Sequence, residues 1–98
     1  MSEKHDKCYI LAIRGAKVHL KQRFLERYGM VISNREIYAM INQIKNKQAN
    51  FIHKTHHDNA IYGLLVRDKW VWIVYNSPIE FPITVLPQHE TEQANRPT

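Results

Sequence analysis

The sequence predicts an α+β fold, two N-terminal helices packed on one face of a four-stranded antiparallel sheet in the order α-α-β-β-β-β. Three observations predict it. Apolar residues recur with helical spacing up to about residue 45. Beyond residue 50 the pattern changes to short runs rich in β-branched and aromatic residues. Those runs are separated by tight polar turns, too short for the crossovers that parallel strands need.

The first helix is expected from Ala16 or Lys17 to Tyr28, with Gly29 as its stop. At about 100° per residue, Val18, Leu20, Phe24, Leu25 and Tyr28 span one apolar arc, inside which Lys21 falls. His19, Arg23 and Arg27 follow at i, i+4 and i+8 along its polar edge. The second helix starts at Ser33-Asn34-Arg35-Glu36, a capping box flanked by Ile32 and Ile37 as a hydrophobic staple. Ile37, Met40, Ile41 and Ile44 then trace an apolar stripe. So short a connection predicts that the two helices pack as an antiparallel pair.

Four strands follow, at Asn50 to Lys54, Ala60 to Val66, Trp70 to Tyr75 and Phe81 to Leu86. The unbroken apolar run from Trp70 to Tyr75 predicts a central strand covered on both sides or nearly so, with Trp70 and Trp72 in the core. Pro82 lacks a ladder donor, which places its strand at an edge or a bulge. The polar ends, residues 1–7 and 88–98, carry no periodic pattern and are expected to fray.

Ninety-eight residues with 44% hydrophobic and 23% charged content describe one globular domain, not a disordered or fibrous chain. No apolar segment approaches the roughly 20 residues that span a bilayer, so no membrane role is expected. No secretory signal is legible, and the single cysteine, Cys8, fits a reducing cytoplasm as a buried small hydrophobe. The net charge of +5 is unevenly placed. Residues 1–47 hold ten basic and four acidic side chains, whereas residues 48–87 hold three of each. A one-sided basic domain suits a polyanion, most often nucleic acid.

His19 has the neighbours that chemistry needs. A histidine titrates near neutrality and can act as general acid or base. Arg23 and Arg27, one and two turns on, can hold a phosphate, and Glu26 can orient them. Lys17 and Lys21 extend this basic face as nucleic-acid contacts. The same spacing also describes a solvated basic face with a chance histidine. Tyr75 and Thr84 carry the polar groups of the apolar strands; a tyrosine hydroxyl can relay a proton and a threonine hydroxyl can donate to a phosphate. Both types also favour strands for packing alone. His53, His56 and His57 cluster, but adjacent turn histidines without a nearby cysteine make a poor metal site. The three glycines form no phosphate loop, and no cofactor or metal is expected.

The run His19-Leu-Lys-Gln-Arg23-Phe-Leu-Glu26-Arg27-Tyr-Gly29 resembles a helix of small phage and bacterial proteins. These are related to the RelE–barnase–EndoU–colicin superfamily of ribonucleases and toxins. Trp72-Ile-Val-Tyr75-Asn76 and Ile83-Thr84-Val85-Leu86-Pro87 are similar to paired strands of that group. The resemblance covers about residues 17–87. It implies metal-independent RNA cleavage in a bacterial or phage-infected cytoplasm, with the ribose 2′-hydroxyl attacking phosphorus. His19 would serve as acid or base, Arg23 as phosphate clamp, Thr84 as accessory donor and Tyr75 as proton relay. Two other readings stay open. One is a non-catalytic nucleic-acid-binding module on the same basic face. The other is a small phage-type protein that binds a protein partner, as an inhibitor of a host enzyme; a toxin would have an antitoxin partner.

Overall fold

The computed structural model describes residues 3–55 and 58–87, with side chains described from Ile10 onward. The element order is α1 (Glu3–Tyr28), α2 (Asn34–Lys45), β1 (Asn50–Lys54), β2 (Asn59–Val66), β3 (Lys69–Asn76) and β4 (Phe81–Val85). The strands form one antiparallel sheet in the order β1-β2-β3-β4. This is the α+β arrangement expected, with β3 in the interior and β4 at an edge.

α2 forms as its sequence dictates. The Ser33 hydroxyl accepts from the Glu36 N–H, and the Glu36 carboxylate accepts from the Ser33 N–H at 2.9 Å. Ile32 and Ile37 are both buried, which closes the staple. Ile37, Met40, Ile41 and Ile44 then face the sheet. Their core partners are Leu64 and Val66 on β2, Val71, Ile73 and Tyr75 on β3, and Phe81 and Val85 on β4.

The β2–β3 turn consists of Arg67 and Asp68, both with positive φ (51° and 66°), as a two-residue hairpin of matching twist requires. Arg67 is held there by two bonds to the Glu36 carboxylate, at 2.6 and 2.8 Å, and one to the Val31 carbonyl at 2.7 Å. In β4 the register skips Ile83: Val74 pairs with Thr84, but Tyr75 pairs with Pro82. The proline therefore sits on the edge strand and beside a bulge, both places where a missing N–H is tolerated.

α1 departs from expectation in three ways. It begins at Glu3 rather than near Ala16, so most of the polar segment expected to fray lies within it. A 26-residue helix is about 39 Å long, against a longest molecular extent of 50 Å. It also lies along β4 and meets α2 only slightly, so the helices do not form the expected close pair. Finally, it is rotated. Leu20 and Phe24 are fully buried, but Val18 and Leu25 face solvent. Its end follows the sequence: Gly29 takes φ +66° and its N–H bonds the Leu25 carbonyl at 3.0 Å.

β3 is covered on one face rather than two. Val71, Ile73 and Tyr75 meet the helices, while Trp70, Trp72 and Val74 lie on the opposite face. Trp70 is 43% exposed, and Trp72 sits against Gly63. Residues 1–2, 56–57 and 88–98, with the side chain of Cys8, lie outside what is described.

Candidate nucleic-acid interface

From Ile10 to Tyr28, α1 carries Arg14, Lys17, Lys21, Arg23 and Arg27 against a single carboxylate, Glu26. The tertiary structure sorts these cations into two flanks with different surroundings. One flank holds His19, Arg23 and Arg27. Arg23 donates to Glu26 at 2.6 Å, one turn along, and this pair holds the Glu26 carboxyl below its ordinary value, with help from Gln22. Arg27 turns inward and donates to the Val85 carbonyl of β4. Tyr28 does the same beside it, its hydroxyl donating to the Leu86 carbonyl at 2.8 Å. Two of the residues read as phosphate contacts are thus already engaged, one with a carboxylate and one with backbone. His19 is half-buried and makes no side-chain hydrogen bond or ion pair among the described residues.

The second flank holds Arg14, Lys17 and Lys21, at i, i+3 and i+7. Arg14 is exposed. Lys17 extends over α2, its ammonium 3.4 Å from the Tyr38 hydroxyl and 5.4 Å from the ring centroid. Lys21 rims a shallow hollow of about 340 Å³ shared with Gln22, Leu25, Val31 and Ile32. No described carboxylate pairs with any of these three. Arg14 and Lys21 therefore keep their charge for a partner in solvent, while Lys17 shares its ammonium with Tyr38.

The remaining expected site residues are separated by the sheet. Tyr75 is buried on the helix-facing side, its ring 5.9 Å from that of Tyr62. Thr84 pairs with Val74 and so faces the other side, while its neighbour Val85 pairs with Ile73 toward the core. Alternation along the strands puts Tyr75 and Thr84 on opposite faces. His19 and Arg23 share a helix flank, as their spacing required, but Tyr75 and Thr84 do not converge on one point.

Two further hollows lie elsewhere. One of about 250 Å³ runs between Ile13, Tyr38, Ile41, Lys45 and Phe81. The other, of about 110 Å³, lies between α2 and Leu65. Among the described residues no group of three or more histidine, cysteine or acidic side chains comes together. His53 is exposed on β1, and His56 and His57 fall outside the described residues. Arg14 was missed as a site residue because the apolar periodicity marks a helix only from Ala16 or Lys17, and α1 in fact starts at Glu3. No known family, characterised protein or solved structure matches this chain.

Proposed function

We propose that this protein binds RNA through the Arg14–Lys21 flank of α1, without cleaving it. The observation that carries the reading is the row Arg14, Lys17 and Lys21. These are three cations within eight residues of one helix, with no described carboxylate to neutralise them. Such a row spans about 10 Å, a distance over which a single strand presents two phosphates. The separation of Tyr75 from Thr84 favours binding over cleavage, because proton transfer and transition-state stabilisation demand groups placed within hydrogen-bond reach of one phosphate. The endoribonuclease reading retains one supporting feature: His19 sits one turn from an arginine braced on Glu26.

One experiment separates the two. A labelled single-stranded RNA is titrated with the parent protein in EDTA, followed by anisotropy and then by a denaturing gel. Binding with intact RNA, weakened by Arg14→Gln and Lys21→Gln and unmoved by His19→Ala, is the expected result. Cleavage that His19→Ala abolishes would establish the nuclease instead. An absence of binding at low salt would end both readings.

A further inference from the structure

α1 carries a second apolar row that the fold leaves uncovered. Leu11, Val18 and Leu25 recur every seven residues, on the side of the helix turned away from buried Leu20 and Phe24. They are 59%, 67% and 53% exposed, and Val31, 74% exposed, continues the row past the helix end. Exposed apolar residues scattered singly need no explanation, but three aligned along about 21 Å of helix, with Val31 beside the last of them, do. Spacing of seven keeps such residues on one line of a helix, and it is the spacing of a seam between two helices.

The row is not purely apolar. Arg14 and Lys21 each lie three residues after Leu11 and Val18, immediately beside the seam. At its C-terminal end, Leu25, Val31 and Ile32 form the apolar hollow that Lys21 rims. Gly15 lies next to the row in open space, with nothing within 4 Å of where a Cβ would be, so the fold itself has no packing need for a glycine there. A helix approaching this side could come close at that point.

We propose that this row is a docking surface for a partner protein's amphipathic helix with acidic flanks. Its apolar side chains would lie on Leu11, Val18 and Leu25, and its carboxylates beside Arg14 and Lys21. Charge selects this occupant over a second copy of the chain. Two α1 helices laid seam to seam and antiparallel would bring Arg14 and Lys21 against the same cations, and like charges across an apolar seam oppose association. Laid parallel, they would face Gly15, Gln22 and the Glu26 that Arg23 already holds, so a second copy supplies no free carboxylate. An acidic helix supplies the opposite sign at both positions. The inference shares Arg14 and Lys21 with the RNA-binding reading, so RNA and the acidic helix would compete for them, but the apolar row that carries it is not an RNA contact.

The test uses a designed helical peptide of about 20 residues with leucine at seven-residue spacing and glutamate beside it, and a control with lysine in place of glutamate. Affinities are measured for the parent and for a Val18→Ser/Leu25→Ser variant; both positions are exposed, so circular dichroism and melting temperature should match the parent. The acidic peptide should bind the parent and the lysine peptide should not. The variant should lose about tenfold or more in affinity while its RNA affinity stays within about twofold. Equal peptide affinity of variant and parent would overturn the proposal, since charge alone would then explain binding. So would a parent dimer that the variant abolishes, or binding to phosphatidylserine vesicles that the variant loses when the peptide is not bound.

Discussion

Glu36 shows how one side chain ties three parts of the fold together. It caps α2 through Ser33, and its other lone pairs receive Arg67 from the β2–β3 turn. The Arg67 guanidinium, followed by the Ser33 N–H, holds its carboxyl down to about 2, from an ordinary value of 4.5. A carboxyl depressed by folding stabilises fully above its unfolded value and loses that stabilisation as pH falls through the folded one. The melting temperature of the parent should therefore fall more steeply between about pH 4.5 and pH 2 than that of Glu36→Gln. Parallel falls in thermal melts across that window would show that the Glu36–Arg67 contact contributes nothing. The capping half of this arrangement was legible in Ser33 and Glu36. Arg67 was legible only as a turn residue, because its partner lies 31 positions away in sequence.

At the scale of the element, α2 and α1 differ in how plainly sequence declares their orientation. α2 has one apolar stripe and a polar remainder, so its inward face can be read directly. α1 has apolar residues on both sides, and periodicity alone cannot say which side meets the sheet. Val18 and Leu25 look like core partners of Leu20 and Phe24 until β4 is seen to select the latter. Leu20→Ala should cost roughly 2–5 kcal/mol in chemical denaturation, by emptying space in a packed core. Leu25→Ala should shift stability by no more than about 0.5 kcal/mol, since its side chain meets solvent. The reverse order would place the helix in the orientation that periodicity first suggests. Gly15 is a second local signal that tertiary structure overrides. It sits mid-helix with open space around it. Gly15→Ala should therefore raise stability by about 0.5–1 kcal/mol, and a loss in the same denaturation assay would reveal a break in α1 at that point.

The sheet faces follow the same logic. The run from Trp70 to Tyr75 correctly marks an interior strand, because both its neighbours are strands. Its two faces differ: α1 and α2 both lie on the side of Val71, Ile73 and Tyr75, leaving Trp70 to solvent. Strand composition reports neighbours within the sheet more directly than it reports the layer above it. This is also why Tyr75 and Thr84, each plausible as a polar group on an apolar strand, fall on opposite sides: Pro82 marked an edge or a bulge, but the pairing register that sets Thr84 opposite Val74 was not written in either strand alone.

Across the whole molecule, the fold converts an uneven charge distribution into an uneven surface. The basic excess of residues 1–47 becomes a long helix on one side, and the near-neutral second half becomes the sheet that supports it. The most direct measurement is the salt dependence of RNA affinity for the parent and for the Arg14→Gln/Lys21→Gln variant. Each phosphate contact to a single strand contributes about 0.7 to the slope of log affinity against log salt concentration. The parent should bind steeply less tightly as salt rises, and the variant's slope should be shallower by about 1.4 with weaker binding at low salt. An unchanged slope and affinity in the variant would contradict the assignment of the RNA-binding surface to this flank of α1.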